Sequence, residues 1–247
     1  MKILLLDIET SPMLGYSWDI WKEQGSMKFI IRDWYMLCWA AKWLDDKKIM
    51  CSALPDFQTY KQDPENDYEV VHKLWELLQD VDVVVTQNGV KFDMPKANAK
   101  FIEHGLTPPP PYKMVDTCLI ARRKFGFSSN KLDDMARLLK IGQKLETGGI
   151  DLWKNVMKGD KKAWNTMVQY NKNDVLLLEK IYKRMLPFIN THPNSNVYNE
   201  TKQNCPKCSN INLQKRGFIF LIQGKRQRYQ CSKCGGWCHG DKIIKNS

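Results

Sequence analysis

Two pairs of residues in this sequence are spaced so that each pair would share one face of a regular element. Asp7 and Glu9 are two positions apart at the end of the apolar run KILLLDI, which is typical of a buried strand. Tyr170 and Asp174 are four positions apart in a long helical pattern, so they would lie one turn apart. Carboxylates that leave a buried strand side by side repel each other, and a divalent cation relieves that repulsion. The pairs therefore predict a metal site with oxygen ligands, which suits Mg²⁺ or Mn²⁺ better than zinc.

A third acidic segment follows a tight turn in the middle of the chain. NGVKFD comes directly after the predicted strand VDVVVTQ and brings Asp93 into position through the turn at Asn88 and Gly89. Each of these fragments alone also has an ordinary explanation. Acidic pairs are common in turns, a Tyr and an Asp one turn apart are usually surface residues, and Asn-Gly is usually only a turn. The order of the fragments along the chain favours a functional interpretation.

That order has a counterpart in a known family. DIET at the first strand, NG-x-x-FD after a middle strand and Tyr-x-x-x-Asp on a late helix resemble the three motifs of DEDDy-type 3'-5' exonucleases. The stretch VDTCLIARRKF followed by NKLDDMARLLKI also resembles the segment between the second and third motifs in relatives of the polymerase-B exonuclease domain. The resemblance covers about residues 1–188 and implies a ribonuclease-H-like α/β fold, in which helices flank a mixed sheet.

The resemblance also implies a mechanism with two Mg²⁺ or Mn²⁺ ions in the catalytic site. Asp7 would bridge both ions, and Glu9 and Asp174 would complete the inner site. Asp93 would hold the second ion, largely through water. Tyr170 would orient the attacking water, because a tyrosine with an ordinary pKa of roughly 10 is a poor general base at neutral pH.

Two further residues are expected to bind substrate. By the resemblance, the backbone N–H of Thr10 would contact a terminal nucleotide, and Asn88 would contribute beside it. Three other acidic residues are left out of the site because their positions explain them. Asp116 is expected at a strand end, and Asp133 and Asp134 in the first turn of a helix, where the helix dipole favours acidic side chains.

The tryptophans near the N-terminus allow two interpretations. Aromatic rings at a groove can stack on bases, but such rings more often lie in a hydrophobic core. We expect a core position for Trp34, Trp39 and Trp43, and we leave both interpretations open for Trp18 and Trp21.

Four cysteines near the C-terminus form two Cys-x-x-Cys pairs. Cys205 and Cys208 are separated by 22 residues from Cys231 and Cys234, a spacing close to that of a zinc ribbon. Between the pairs, FIFLIQGKRQRYQ has the pattern of a β-hairpin with a Gly-Lys turn. The pairs predict one structural Zn²⁺ in a small β-hairpin module that depends on its metal to fold.

The fourth zinc ligand has competing candidates. Cys238 or His239 could replace Cys234, because Cys-x-x-x-Cys is also an acceptable ligand spacing. We favour Cys234, since two symmetrical pairs fit a ribbon, and we expect His239 at the surface. Two disulfides or free thiols are the ordinary alternative, and disulfides fit a reducing compartment less well than a metal site does.

Strands and helices must alternate to position these residues. Apolar and aromatic runs indicate strands over residues 2–8, 29–43, 81–87 and 113–117. Helical periodicity indicates helices over residues 69–79, 92–105, 131–140 and 160–188. Asn130 is expected to cap the third of these helices, and Gly105 and Gly142 to follow the ends of the second and third. This alternation predicts an α/β domain with a mixed sheet.

The composition changes near residue 190. Residues 190–204 are polar, rich in Asn and almost free of large aliphatic side chains, which is typical of a linker. We therefore expect a ribonuclease-H-like domain over residues 1–189, a linker over 190–204 and a zinc ribbon over 205–247.

The charge balance indicates the kind of partner. The chain has 38 Lys and Arg against 27 Asp and Glu, a formal charge of +11 that favours nucleic acid. No apolar run reaches the roughly 18 residues of a membrane span, and acidic residues interrupt the N-terminal run where a signal peptide would stay apolar. We expect no membrane partner and a cytoplasmic protein. A cellular processing or repair enzyme and a virus-encoded nuclease acting in the host cytoplasm are both compatible with this sequence.

Three functional hypotheses follow. The first is a 3'-5' exonuclease acting on single-stranded DNA or RNA with a free 3' end, in which the zinc ribbon assists binding. The second is a catalytically quiet nucleic-acid-binding or adaptor protein that recruits a protein partner through the ribbon. The third is a structure-specific endonuclease on the same fold. The presence of all four carboxylates and the tyrosine favours an enzyme, because an adaptor would not need them.

Overall fold

A computed structural model describes residues 1–16, 29–195 and 204–245 of the chain. The described strands are β1 (Ile3–Thr10), β2 (Leu14–Tyr16), β3 (Phe29–Arg32), β4 (Met36–Trp43), β5 (Met50–Ala53), β6 (Val83–Thr86), β7 (Lys113–Asp116), β8 (Leu213–Leu221), β9 (Gly224–Cys231) and β10 (Trp237–His239). The described α-helices are α1 (Tyr68–Leu78), α2 (Asp93–Glu103), α3 (Thr117–Lys124), α4 (Leu132–Leu138), α5 (Ile150–Met157) and α6 (Lys161–Met185). Short 3-10 turns cover Leu54–Asp56, Gln58–Lys61 and Leu186–Phe188.

A five-stranded mixed sheet forms the centre of the N-terminal domain, with the strand order β5-β4-β1-β6-β7. The central strand β1 runs antiparallel to β4 and parallel to β6. Helices pack on both faces of this sheet, so the predicted fold class is confirmed. β6 pairs with the first half of β1, and β4 pairs along its length, including Asp7 and Glu9.

The alternation of side chains along β1 divides the core into two layers. Leu4, Leu6 and Ile8 pack with α1 and α2 on one face of the sheet. Ile3 and Leu5 pack on the other face with α3, α4 and the second half of α6. Each fully buried leucine contributes roughly 1.5–3 kcal/mol to stability. Because side chains alternate along a strand, the next two positions on the α6 face are Asp7 and Glu9.

The long helix α6 covers the end of β1. Asp160 caps its N-terminus, since its Oδ1 atom accepts hydrogen bonds from the backbone N–H groups of Lys162 at 2.7 Å and Ala163 at 3.0 Å. The predicted helix over residues 160–188 is confirmed apart from its last three residues, which form a 3-10 turn. Its buried stripe packs against the sheet and also carries Asp174.

The predicted strand over residues 29–43 was wrong in its first part. β3 and β4 are separate strands, and β3 pairs with β2 in a two-stranded ribbon outside the central sheet. Phe29, Ile30 and Ile31 are more than half exposed, so hydrophobic composition alone gave no indication of their exposure. Trp39 lies in the core as predicted. Trp18 and Trp21 fall outside the described residues.

The other two tryptophans are only partly buried. Trp43 packs against the edge of the core. Trp34, which we expected in the core, is only partly buried, with the Nζ atom of Lys96 3.6 Å from its ring centre. A cation over an indole ring is itself a stabilising contact, which explains this position without full burial.

Two local predictions also need correction. α4 begins at Leu132, and its N-cap is Lys131, so Asn130 does not cap the helix. The hairpin turn lies at Ile222 and Gln223, because Leu221 pairs with Gly224 and β9 already starts there. Five of the described strands and α-helices were not predicted from the sequence, and each has eight residues or fewer: β2, β5, β10, α3 and α5.

The C-terminal module is a three-stranded sheet in the order β10-β9-β8. It contacts the N-terminal domain directly, since the buried Lys207 donates a hydrogen bond to the carbonyl oxygen of Pro187. Cys208 also packs against the core layer under α6. The division into domain, linker and ribbon stays a prediction. None of the described helices has both the length and the apolar character needed to cross a membrane.

Candidate active site

Three carboxylates converge where β1 meets α6. Asp7, Glu9 and Asp174 each offer one oxygen atom, and these three atoms lie within 4.8 Å of one another. Asp7 and Glu9 are partly accessible, whereas Asp174 is only 2% exposed. The first two reach the site because β1 places alternate residues on one face, and the third because α6 crosses that face. These three predicted residues are therefore brought together.

Asn171 holds the Asp7 carboxylate in place. Its Nδ2 atom donates a hydrogen bond to Asp7 Oδ2 at 2.6 Å and lies 3.2 Å from the Asp7 carbonyl oxygen. Asn171 is fully buried on the same helix as Asp174. It was not predicted from the sequence, although one signal was present: Asn171 is a polar residue within the mostly apolar buried stripe of α6.

Lys144 brings a positive charge to the carboxylates. Its Nζ atom forms an ion pair with Asp174 and donates a hydrogen bond to the Tyr170 hydroxyl at 2.8 Å. The backbone N–H of Lys144 in turn donates to Asp133 Oδ1 at 2.6 Å. Asp133, which we placed outside the site, thus positions the loop that carries the lysine. No periodicity or motif distinguishes Lys144 in the sequence.

Burial and mutual repulsion raise the pKa values of the carboxyls. Burial raises the pKa of Glu9 to about 8, with a further contribution from Asp174. The pKa of Asp7 is raised well above its ordinary value, by burial first and then by the charges of Asp93 and Glu9. Burial and repulsion thus disfavour the ionised carboxylates, and Lys144 offsets only part of this effect.

The donor set fits divalent cations that prefer oxygen. All three clustered groups are carboxylates, and Asp174 Oδ1 is buried without a hydrogen-bond partner among the described residues. A buried carboxylate oxygen without a partner is costly, and a metal ion would satisfy it. Oxygen-only ligands suit Mg²⁺ or Mn²⁺.

Asp93 lies beside this cluster but outside it. Its Oδ1 atom accepts a hydrogen bond from the backbone N–H of Ile8 at 3.1 Å, which ties the start of α2 to β1. Burial raises the pKa of Asp93 to about 7, although the N–H donor partly offsets this rise. The three-carboxylate group does not include Asp93, so a role for it as a metal ligand stays a prediction.

The Asn-Gly turn before Asp93 is built as the sequence predicts. Asn88 has a positive φ of 65°, which asparagine tolerates better than most residues. A Cβ atom at Gly89 would lie 2.4 Å from the side chain of Thr86, so only glycine fits. The carboxylate of Asp116 accepts hydrogen bonds from the N–H groups of Asn88 and Val90, and this confirms its structural position at a strand end.

Tyr170 lies beside the carboxylates. Its ring packs edge-on against Trp153 at a centroid distance of 6.2 Å, and its hydroxyl accepts the Lys144 hydrogen bond. Burial raises the pKa of Tyr170 to about 12, helped by the charge of Asp174 and opposed by Lys144. The hydroxyl therefore stays protonated at neutral pH and can orient a ligand without acting as a base.

The two predicted substrate contacts occupy different positions. Asn88 lines a cavity of about 590 Å³ that also reaches Asp7 and Asp174. Thr10 is partly buried at the irregular end of β1, where the pairing with β4 shifts register. Their roles in binding substrate stay predictions.

Comparison with known families bears on this arrangement. A family model described as the RNase_H superfamily matches residues 44–186, which is more than half of the chain. The chain belongs to the RNase_H superfamily. The match contains Asp93, Lys144, Tyr170 and Asp174 but begins after the first strand.

The fold of this RNase_H superfamily chain is similar to that of a solved protein structure. The family B DNA polymerase from the hyperthermophilic archaeon Pyrobaculum calidifontis is 19% identical, with a TM-score of 0.52. The similarity covers 76% of this chain and 25% of the polymerase chain, so this chain corresponds to a minor part of that protein. At this identity the similarity supports the fold alone. No curated protein sequence matches the chain.

Outside the matched residues, the RNase_H superfamily chain carries a second candidate metal site. The Sγ atoms of Cys205, Cys208, Cys231 and Cys234 lie within 4.8 Å of one another. Two of the Sγ pairs, Cys205 with Cys234 and Cys208 with Cys231, are 3.6 Å apart. Tetrahedral coordination with metal–sulfur bonds of about 2.3 Å requires sulfur separations of about 3.8 Å. The cluster therefore fits one metal ion, and neither Cys238 nor His239 belongs to it.

Both cysteine pairs end in the same backbone turn. Ser209 and Gly235 each follow the second cysteine of a pair, with positive φ angles of 57° and 73°. Each donates its N–H to the carbonyl oxygen of the first cysteine, at 2.9 Å and 3.0 Å respectively. This turn directs both thiols of a pair towards the same point.

Nearby donors favour the thiolate form of one cysteine. Burial opposes ionisation of Cys231, but N–H groups from Cys234, Asn210 and Lys233 outweigh it and lower the pKa of Cys231 to about 6. A cysteine binds metal as its thiolate, so these donors favour metal binding at Cys231. Cys238 lies on β10 with a pKa raised to about 11 by burial, and His239 is exposed as predicted.

Proposed function

We propose that this chain is a metal-dependent 3'-5' exonuclease of the DEDDy type that hydrolyses phosphodiester bonds of single-stranded DNA or RNA. The observation that carries the proposal is the convergence of Asp7, Glu9 and Asp174 beside Tyr170, with an unsatisfied oxygen on Asp174. The RNase_H superfamily match supports a nuclease-type domain.

The carboxylates would hold two Mg²⁺ or Mn²⁺ ions. Asp7 would be shared between them, Glu9 and Asp174 would bind the inner one, and Asp93 would bind the outer one through water. When bound, such ions activate water and stabilise the leaving oxygen of a phosphodiester. Asn171 supports this arrangement, because its hydrogen bond fixes the orientation of the Asp7 carboxylate.

Tyr170 and Lys144 would act next to the reacting phosphate. The Tyr170 hydroxyl keeps its proton at neutral pH, so it would position the attacking water by a hydrogen bond. Lys144 holds that hydroxyl and the Asp174 carboxylate with one ammonium group. Its charge also offsets part of the repulsion among the carboxylates and would attract a phosphate.

The C-terminal module would hold one structural zinc ion and bind the nucleic acid. Residues 191–247 contain ten Lys and Arg against two Asp and Glu. The β8–β9 hairpin combines basic side chains with exposed apolar ones such as Phe220, which is 79% exposed. Basic and aromatic side chains together bind the backbone and the bases of single strands.

Two other functions make different demands on the site. An adaptor protein acting through the ribbon would not require clustered buried carboxylates, which are costly to fold. A structure-specific endonuclease would use the same carboxylates, and a free 3' end would then be unnecessary. The RNase_H superfamily match favours a nuclease over an adaptor, and the order of the three sequence motifs favours action from the 3' end.

The test is degradation of end-labelled single-stranded DNA and RNA in the presence of Mn²⁺. A 5'-labelled oligonucleotide should give a ladder that shortens progressively, and Asp7→Asn should give no ladder under the same conditions. Blocking the 3' end should stop the reaction. Internal cuts that continue with a blocked 3' end would indicate the endonuclease, and equal activity of wild type and Asp7→Asn would refute the catalytic site.

A further inference from the structure

Acidic and basic side chains line the cavity beside the carboxylates. It measures about 590 Å³, and its acidic residues are Asp7, Asp133 and Asp174. Its basic residues are Arg122 from α3, Lys131 at the N-cap of α4, and Lys144. The proposed catalytic site uses Asp7, Asp174 and Lys144. Arg122 and Lys131 have no role in that arrangement.

Both basic residues are free of ion pairs. Neither Arg122 nor Lys131 pairs with an acidic side chain among the residues that the structure describes, and both are exposed. The third cation of this cavity, Lys144, already pairs with Asp174. Two unpaired cations in one cavity favour an anionic ligand.

A buried acceptor also belongs to this cavity. Asn130 lines the same cavity, and its Oδ1 atom is buried without a donor among the described residues. Its backbone carbonyl is fixed by a hydrogen bond from Gln87 Nε2 at 2.8 Å. A buried acceptor without a partner costs stability, and a ligand that brings an N–H or O–H group would satisfy it.

We propose that Arg122, Asn130 and Lys131 form a nucleotide subsite that binds the substrate nucleotide next to the scissile bond. Arg122 and Lys131 bind its phosphate, and Asn130 accepts a hydrogen bond from its sugar or base. The inference rests on the proposed nuclease function, because the same cavity contains the carboxylates of that site. It gives a role to three residues that lie between the second and third sequence motifs.

The chemistry of a nucleotide matches all three residues. A guanidinium group can donate two parallel hydrogen bonds to two oxygens of one phosphate, and an ammonium group adds a point charge. Sugar hydroxyls and base amino groups are the donors that a nucleotide offers to an amide oxygen. Binding cavities for ligands of this size measure roughly 300–1,000 Å³, and this one falls within that range.

A matched pair of arginines allows a direct test. Arg122 and Arg123 are adjacent on α3, but Arg123 lines a different cavity. In the full chain carrying Asp7→Asn to prevent cleavage, we would measure oligonucleotide binding by fluorescence anisotropy. Arg122→Gln and Lys131→Gln should each weaken binding by roughly tenfold, and Arg123→Gln by less than roughly twofold. Thermal melting of each variant checks that the fold is intact.

Oligonucleotides with an uncharged methylphosphonate in place of one phosphate test whether Arg122 contacts that phosphate. A set of oligonucleotides would carry one methylphosphonate at each of the positions nearest the 3' end. One position should weaken binding to the parent protein and have little further effect on Arg122→Gln, because that variant no longer offers a charge to the phosphate. Equal decreases in affinity for the two arginine variants, or methylphosphonate effects that add fully to Arg122→Gln at every position, would overturn the subsite.

Cleavage assays separate this inference from the proposed function. Cleavage is measured with Asp7 restored. If this protein degrades the oligonucleotide but no methylphosphonate position loses its effect in Arg122→Gln, the nuclease function stands and the subsite is excluded. Coupling at one position without any degradation in Mn²⁺ would support the nucleotide subsite and refute the nuclease.

Discussion

The Nζ atom of Lys144 lies 2.8 Å from the hydroxyl oxygen of Tyr170. The same atom pairs with the Asp174 carboxylate, one turn further along α6. One ammonium group therefore fixes the distance between a predicted metal ligand and the hydroxyl predicted to orient water. Removing this ammonium group should lower the rate of cleavage more than the affinity for the substrate.

Lys144→Met should lower kcat on a short oligonucleotide by roughly 10- to 1,000-fold while changing KM much less. Methionine keeps the length of the side chain but cannot bind Tyr170 or Asp174. Steady-state kinetics in Mn²⁺ measure the effect. The control is Lys158→Met, which removes an exposed lysine beyond α5 and should leave kcat unchanged. Equal kinetics for both variants would contradict a positioning role for Lys144.

Tyr170→Phe should lower kcat by roughly 10- to 1,000-fold without abolishing cleavage, because the ring remains and only the orienting hydroxyl is removed. The pH dependence provides a second measurement. Since the pKa of Tyr170 is raised to about 12, loss of the hydroxyl should not remove any ionisation step near neutral pH. A wild-type rate for this variant would show that Tyr170 only packs against Trp153.

Without added divalent cations, the free energy of unfolding should fall as pH rises from about 4.5 to about 8. The native state raises the pKa of Glu9 from 4.5 to about 8, so folded chains keep a proton that unfolded chains have released. Stability that depends on that proton is present at low pH and disappears as pH rises through this window. Thermal melting at several pH values measures the slope.

Mg²⁺ should reduce this loss of stability, because it binds the ionised carboxylates. Asp7→Asn should also flatten the pH dependence, since it removes one of the interacting charges. A melting temperature that increases with pH in the absence of divalent cations would mean that the carboxylates are not held close together in solution.

Cys231→Ser should remove bound zinc and unfold the C-terminal sheet, because a module this small depends on its metal. Metal analysis should find about one zinc per wild-type chain and almost none in the variant. Limited proteolysis should then cut between residues 204 and 245. Cys238→Ser is the matched control, because Cys238 lies outside the four-cysteine group. Loss of zinc in that variant instead would reassign the fourth ligand.

Truncation after Ser195 should weaken nucleic-acid binding and flatten its dependence on salt. For every phosphate that the shortened chain no longer neutralises, the slope of log affinity against log salt should decrease by nearly one unit on duplex, and by somewhat less on single strands. This end point retains His192, whose ring lies 2.7 Å from the Tyr182 hydroxyl. Cleavage of short oligonucleotides at saturation should stay within roughly tenfold of wild type. An unchanged salt slope would favour a protein-docking role for the ribbon.

The sequence predicted the parts of the site that depend on regular periodicity. Asp7 and Glu9 follow from alternation on a strand, and Asp174 follows from the helical stripe that also carries Met167 and Leu178. Asn171 was detectable in principle, because a polar residue within a buried stripe requires a partner. The partner itself, Asp7, is 164 residues away, and no local pattern indicates such a distance.

The remaining parts depend on tertiary contacts that a single sequence does not encode locally. Lys144 lies in an irregular segment between α4 and α5, where its backbone N–H donates a hydrogen bond to Asp133. β3 has the composition of a core strand but pairs with β2 at the surface. Tryptophan is a residue type common in cores, but the ring of Trp34 lies against the Nζ atom of Lys96 rather than in the core.

The separation of Asp7 from α6 also affects how the chain is made. Ribosomes add roughly 5–20 residues per second. Asn171 is 164 positions after Asp7, so it is synthesised roughly 8–33 seconds later. During that time Asp7 and Glu9 have neither Asn171 nor Asp174 to complete the site. A nascent chain therefore cannot assemble the three-carboxylate group until α6 has left the ribosome, and chains that terminate before α6 would carry the acidic strand without a competent site.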